Sequence, residues 1–438
     1  MSLGRKLASQ SSVIFGARLF GAGLIFLVQA LIARMWGAPL LGEFLIVVAS
    51  VNLISVAMPL GFHTVGTYFA AEYRARGDRR QLAAFLTRAY LHVVVAFVLL
   101  VLLGPWILDR VGQGQGTVAR HFIPVAMLTL GTAIVYVNSA LLIGLKRPFA
   151  GFFADTLLRP MIVMAAFLSV MSASVAESGF TTMLWIIGAG YVAVSIVQFV
   201  FVMTSLKRIP SEAPLRPLES ARWWRFALPW VLISIATDFF FDIDLLLLSH
   251  SLSHEDLAIF GVCARIFSLA SFGVAAVYAV TLPDMFESEA RADRADFHRK
   301  VGEANMVASL IALALFAVLL VLAPFALQLF GPAFTAGAVP LAILCLGLIV
   351  RSAFGPASLV LSIHDRPWAS LPAIGIGLGC LVVGNLLLVP GFGLMGAACS
   401  ALVAITIWSF ALWLTVRWTA GVDVSIMQWF RTRRAATA

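Results

Sequence analysis

The chain has 438 residues, of which 61% are hydrophobic and only 12% charged, with a formal net charge of +9. A soluble fold carries about 25% charged residues, so an ordinary water-soluble globular domain is excluded. The four cysteines, Cys263, Cys345, Cys380 and Cys399, all fall inside apolar stretches, which excludes a disulfide framework.

Twelve apolar stretches follow one another: 12–34, 43–69, 83–108, 121–145, 152–173, 180–206, 224–249, 256–284, 302–330, 337–363, 369–389 and 393–417. Each is long enough, as a helix, to cross a hydrocarbon core about 30 Å thick. A helix also satisfies its own backbone where no water can. The first stretch follows Arg5 and Lys6, as a signal peptide would. Its apolar run is too long for one and a second span follows at once, so it reads as an uncleaved anchor.

The charges alternate from loop to loop. Arg74, Arg76, Arg79 and Arg80 separate spans 2 and 3, and Lys146 and Arg147 separate spans 4 and 5. Lys207, Arg208, Arg216, Arg222 and Arg225 flank the break between spans 6 and 7. Arg291, Arg294, Arg299 and Lys300 separate spans 8 and 9, Arg366 lies between spans 10 and 11, and Arg417, Arg431, Arg433 and Arg434 close the chain. The other side holds Arg34, Arg110 and Arg120. Basic loops stay in the cytoplasm, which predicts cytoplasmic termini. Because the positive charge is spread over alternate loops and forms no single patch, it argues against nucleic-acid binding. Trp36, Trp106, Trp223, Trp224, Trp418 and Trp429 fall at span ends, as an interfacial aromatic belt requires. The tail around Ile426, Trp429 and Phe430 is expected to lie on the inner leaflet with its arginines on lipid headgroups.

The two halves repeat weakly. Gly42 to Phe44 opens span 2 and Ala258 to Gly261 opens span 8; Lys146-Arg147-Pro148 follows span 4 and Asp365-Arg366-Pro367 follows span 10. Six spans per half is an even number, so both halves enter the membrane in the same sense, which implies a parallel repeat. The expected fold is all-α and polytopic, with about 12 transmembrane helices in two six-helix bundles around a central cavity. The expected divisions are a first bundle at 1–206, a cytoplasmic linker at 207–223 with three prolines, a second bundle at 224–418 and a basic tail at 419–438.

A charge at bilayer depth costs from about 3 to more than 10 kcal/mol, so each one needs a reason. Arg18 lies in span 1 among Gly16, Ala17, Gly21, Ala22 and Gly23, which either allow close helix contact or leave room beside the guanidinium. Span 7 carries Asp238, Asp242 and Asp244, the first two spaced i, i+4 as on one helix face. Arg265 in span 8 is expected at the depth of Asp242, either as an ion pair that pins two helices or as one that an anion or a proton breaks. Arg351 stands one turn before Gly355 and Pro356, the arrangement of an anion site beside a helix break. Asp155 and Arg159 are expected to satisfy each other. Asn138 and Asn385 are mid-span amides, serving as interhelical hydrogen bonds or as sugar contacts. His63 and His92 are expected to be packing residues, and the prolines at 59, 124, 160, 229, 283, 340, 356 and 372 predict kinks. The run Gly112 to Gly116 has no preceding strand and does not read as a nucleotide loop. Ser253 and Asp256 read as a helix cap, which sets aside a metal site at His250, His254 and Glu255. No metal ligand set and no cofactor motif is expected.

Two segments carry a resemblance. Pro59 to Leu82 (PLGFHTVGTYFAAEYRARGDRRQL) resembles the end of span 2 in bacterial polysaccharide flippases, and Phe241 to Ile266 (FDIDLLLLSHSLSHEDLAIFGVCARI) resembles their span 7–8 hairpin. That group belongs to the multidrug/oligosaccharidyl-lipid/polysaccharide (MOP) exporter superfamily, and by span count the resemblance covers essentially the whole chain. It implies a non-enzymatic flippase that moves an undecaprenyl-diphosphate-linked oligosaccharide from the inner to the outer leaflet by alternating access, for surface polysaccharide biosynthesis. It places Arg18 and Arg265 on the diphosphate, and the reading of the residues adds Arg351, Asn138 and Asn385 as substrate contacts. Asp238 and Asp242 are the expected sites of a proton or sodium counter-ion. The other expected partners are membrane lipids and further polysaccharide assembly proteins. Two rival readings stand: a multidrug or small-cation antiporter of the same superfamily, and a membrane-embedded polysaccharide polymerase or ligase, which usually needs a larger outer loop than the dozen residues at 109–120.

Overall fold

The computed structural model describes residues 3–172, 175–210, 217–291, 293–364 and 366–437. The middle of the expected linker, 211–216 with Arg216, lies outside the described residues. So do Asp365 and the side chains of Arg5, Lys6, Pro283 and Arg434. Among the described residues every secondary-structure element is a helix. The chain falls into two compact units, Met1–Ile243 and Asp244–Ala438.

Unit 1 contains α1 (Leu3–Trp36), α2 (Ala38–Ala57), α3 (Phe62–Ala75), α4 (Arg79–Arg110), the short α5 (Thr117–Arg120), α6 (Phe122–Gly144), α7 (Pro148–Phe153), a π-turn (Ala154–Leu158), α8 (Arg159–Val170), α9 (Ala176–Lys207) and α10 (Ser220–Asp238). The unit boundary falls inside α11 (Phe240–Leu248). Unit 2 contains α12 (His254–Ala290), α13 (Arg294–Gln328), a 3-10 turn (Pro332–Gly337), α14 (Ala338–Phe354), α15 (Ala357–Ile363), a second 3-10 turn (Pro367–Ser370), α16 (Leu371–Thr419) and α17 (Met427–Thr437).

Ten of these helical stretches are long and apolar enough to cross a membrane. The twelve expected spans are recovered once two details are included. α16 is a single stretch that leaves helical geometry at Gly393 (φ 51°, ψ −128°), so it accounts for spans 11 and 12. Span 7 is split at Phe239 (φ −115°, ψ 22°) into α10, whose first turns carry Arg222 and Arg225 and are not apolar enough, and α11, which is too short. Where the apolar surface lies supports the same conclusion. The two most apolar of the ten stretches, α4 and α13, are also the two least buried. Leu102 and Trp106 on α4 and Val321 and Phe325 on α13 stand exposed, which is tolerable only where hydrocarbon covers them.

Three spans in which a proline predicted a kink are interrupted there. Span 2 stops at Ala57 and resumes at Phe62, with Leu60 (φ 50°) and Gly61 (φ 84°) in left-handed geometry. Pro59 supplies no amide to the ladder, and a Cβ on Gly61 would overlap the Ala227 carbonyl oxygen of α10. Span 10 breaks at Gly355 (φ 82°, ψ −175°) and Pro356, and span 5 carries the π-turn just before Pro160.

Unit 1 is organised around α6, which packs along α9 and also meets α2, α3 and α4. Its glycines permit the close approach: a Cβ on Gly131 would lie 2.8 Å from the Tyr191 carbonyl carbon. The N-terminal end of α10 is clamped onto α3. Arg222 pairs with Glu72 (3.0 Å) and Glu219 (2.6 Å), Tyr73 donates to Glu219 (3.1 Å), and the buried Trp223 donates to the Tyr73 hydroxyl (2.7 Å). The Arg222 hydrogen bond holds the Glu219 carboxyl below the usual carboxylate range, against partial burial. Asp78 then caps α4 by accepting from the Gln81 amide (3.0 Å). The segment with the flippase-like pattern therefore has local structural work to do.

Candidate functional site

In unit 1, Arg18 lies on α1 with its side chain exposed, the guanidinium 5.2 Å from the centre of the Phe152 ring. It has no carboxylate partner among the described residues. The small residues around it serve both expected purposes. A Cβ on Gly21 would overlap the Thr156 carbonyl oxygen, so α1 presses on the π-turn there, while nothing lies within 4 Å of a Cβ at Gly16 or Gly23.

Behind this contact is a polar box that sequence reasoning reduced to one ion pair. Arg159 does pair with Asp155. It is also stacked against Tyr191 (4.6 Å) and Tyr136 (5.5 Å), and it donates to Thr132 (3.3 Å). The π-turn is what aims it. One extra residue in the turn rotates Arg159 and Asp155 relative to the helix before them, towards α6 and α9. His63 stacks on Tyr136 (6.0 Å), and His92 meets Phe62 (4.8 Å) and Trp224 (5.1 Å), so both histidines pack as expected.

Asn138 is fully buried. Its carbonyl accepts from the Tyr90 hydroxyl (2.6 Å) and its amide donates to the Ser195 carbonyl (2.9 Å). In this conformation it ties α4, α6 and α9 together and presents no polar atom to a sugar.

The break at Phe239 alters the expected acidic face. Asp238 ends α10, exposed, and accepts from Thr237 (3.3 Å), whereas Asp242 lies in the first turn of α11. The two therefore do not share one continuous helix face. Asp242 is buried and accepts from Asn52 of α2 (3.1 Å), at a helix N-terminus where a carboxylate is favoured.

In unit 2 the third acid of the same run, Asp244, is fully buried. Asn385 of α16 donates to one of its oxygens (2.7 Å). The other Asp244 oxygen and the Asn385 carbonyl oxygen are both buried and have no hydrogen-bond donor among the described residues. Two acceptors without donors beside a buried carboxylate suit a proton or a small cation. The signal was present in the sequence as an acid on a span, but the i, i+4 argument favoured its neighbours.

Arg265 lies half-buried on α12. Arg351 is exposed at the last turn of α14, directly before the Gly355 break. Tyr278 of α12 donates to Asn305 of α13 (2.7 Å). The expected cap is also present: Ser253 accepts from the Asp256 amide (3.1 Å) and donates to its carboxylate (2.9 Å).

No family model and no curated protein matches the sequence. Solved structures do match the fold. An inward-facing multidrug resistance MATE family transporter of the MOP superfamily superposes with a TM-score of 0.74 at 14% identity, over 94% of this chain and 96% of that one. The lipid II flippase MurJ in an inward closed conformation gives 0.71 at 12% identity, over 96% and 89%. The MATE multidrug transporter DinF-BH gives 0.66 at 15% identity, over 96% of each chain. The chain shares the fold of these structures, and at these identities the likeness is one of architecture alone.

Proposed function

We propose that the protein is a flippase that carries an undecaprenyl-diphosphate-linked oligosaccharide from the inner to the outer leaflet of the bacterial cytoplasmic membrane, for surface polysaccharide biosynthesis. The observation that carries the proposal is Arg18, a guanidinium on an apolar helix, exposed, beside a glycine-lined space and with no resident carboxylate among the described residues. A cation in that position calls for a visiting anion. A diphosphate headgroup is large and hydrated and cannot cross hydrocarbon unaided, and arginine is the side chain best suited to phosphate oxygens. Arg265 and Arg351 are further candidates for contact with phosphate, each within unit 2. The likeness to a lipid flippase supports a fold able to do this, and an inside-negative potential favours outward movement of the diphosphate by roughly 2 kcal/mol per charge per 100 mV. We assign the counter-ion, a proton or sodium, to Asp244 with Asn385, in preference to Asp238 and Asp242. Asp244 has an acceptor oxygen to spare, and the helix break separates the other two.

The antiporter reading draws on the same buried acid and on the likeness to multidrug transporters. One experiment separates the two. In cells lacking the native gene, Arg18→Ala and Arg265→Ala should insert normally, lose surface glycan and accumulate lipid-linked glycan on the inner leaflet, while Asp244→Asn slows export. Normal surface glycan in both arginine variants removes the assignment. Intact glycan with lost efflux of a cationic dye makes the protein an antiporter.

A further inference from the structure

An open pocket bordered by charged and polar side chains lies apart from these groups, in unit 2, where α17 folds back along α13. Its volume is about 630 Å³, and its walls include His298 and Arg299 from the first turns of α13, Arg417 from the end of α16, Asp423 from the connecting segment, and Gln428 and Arg431 from α17. Three guanidinium groups meet one carboxylate there.

Two of the three are already committed. Arg431 pairs with Asp423 (2.8 Å), and Arg299 pairs with Asp296 and Glu303 on its own helix. Arg417 is different: it stacks on Trp413 (5.4 Å) and has no carboxylate partner among the described residues. In the same pocket, His298 Nδ1 is buried without a hydrogen-bond partner among the described residues. Among the described residues the pocket therefore holds one positive charge with no carboxylate partner and an unused ring nitrogen. Its place in the chain fits an aqueous or headgroup level. A 35-residue helix such as α13 is about 52 Å long, well beyond the roughly 30 Å of a hydrocarbon core, so its first turns project outside. Trp418, next to Arg417 in the chain, stands exposed, a side-chain type enriched at membrane interfaces.

We propose that this pocket binds a phosphate-bearing anion, held by Arg417 with His298 and Gln428, and that the bound anion clamps α17 against α13. The phosphate comes either from an acidic phospholipid or from a soluble phosphate compound. The clamp is independent of the flippase reading, because none of its residues belongs to the proposed transport site.

The test uses the full chain in nanodiscs of phosphatidylcholine, titrated with dihexanoyl phosphatidylglycerol or with inorganic phosphate, with thermal stability and native mass spectrometry as readouts. Phosphatidylglycerol should raise the melting temperature saturably, and Arg417→Gln should weaken its apparent affinity about fivefold, the effect of one basic side chain near a surface phosphate. Arg110→Gln, which removes an arginine stacked on Trp106 elsewhere in the chain, should leave it unchanged. If inorganic phosphate alone reproduces the shift and its Arg417 dependence, the source is soluble and the site stands. His298→Ala takes the place of Arg417→Gln if the latter does not fold. Equal titrations for wild type and variant, or no shift from either probe, overturn the proposal.

Discussion

Gly355→Ala should destabilise unit 2 out of proportion to the one methyl group it adds. Gly355 sits at φ 82°, ψ −175°, a backbone region that costs a residue with a Cβ about 1–3 kcal/mol. The added Cβ would also overlap the Val424 carbonyl oxygen, which accepts from the Asn305 side chain (3.1 Å). Moving that carbonyl weakens a buried hydrogen bond with a net contribution of about 1 kcal/mol, and it strains the neighbouring bond from the Ile426 amide to the Ala353 carbonyl (2.8 Å). Alanine gains back about 0.4–1 kcal/mol by restricting the unfolded chain. The net loss is about 2–3 kcal/mol, or roughly 4–12 °C in melting temperature for a unit of this size. Thermal unfolding of the detergent-solubilised protein measures it. Gly375→Ala in α16 is the control, since no atom lies within 4 Å of its added Cβ, and it should match wild type or exceed it by up to about 1 kcal/mol. If Gly355→Ala melts together with Gly375→Ala, the break is not packed against the tail as described.

Asp423 gives a pH dependence. Burial alone would raise its pKa, but hydrogen bonds from Trp413 and from the Ser425 side chain and amide, together with the Arg431 charge, leave the carboxyl below its usual value. A carboxylate lowered on folding stabilises the tail fully above the ordinary aspartate pKa of about 4, and that contribution is lost as the pH falls through the lower folded value. Hydrogen exchange over 420–432, corrected for the intrinsic rate, should therefore be flat from neutral pH down to about pH 5 and rise below about pH 4. Arg431→Gln raises the folded pKa towards the ordinary one, so it should shrink that rise while its onset near pH 4 stays put, and a rise of undiminished size contradicts the assignment. At the α3/α10 clamp, a double-mutant cycle with Glu72→Gln and Arg222→Gln should give a coupling of about 1 kcal/mol, at the upper end for partly exposed pairs. A coupling near zero would mean that Glu219 alone holds Arg222.

The number of spans and the helical class were readable from apolar length, because the bilayer imposes the same length on every crossing. The interruptions were less readable. Gly355-Pro356 announced its break through a glycine and proline in tandem, yet Leu60 takes left-handed geometry with no residue type to signal it. The split at Phe239 falls in a run of three phenylalanines that any hydropathy window scores as continuous. The candidate site shows the same division. Arg18 stood out because a charge in an apolar stretch is conspicuous by itself. Asp244 did not, because its significance is the missing donor to its second oxygen, a property of the partner helix and of burial. Arg159 was legible as half of a pair, while Tyr136, Tyr191 and Thr132 come from helices whose contact with it depends on an irregular turn that no periodicity encodes.

The seating of Gly61 against Ala227, with Trp223 buried under Tyr73, has a consequence for biosynthesis. The first six crossings leave the ribosome before the segment that fills the gap between α3 and α4, so the nascent N-terminal half must wait, with Phe62, Phe69 and Phe85 incompletely covered, until α10 emerges. A chain severed at 206 should yield an N-terminal fragment that is prone to degradation, whereas one severed just after Ile243 carries its own keystone and should survive alone in the membrane.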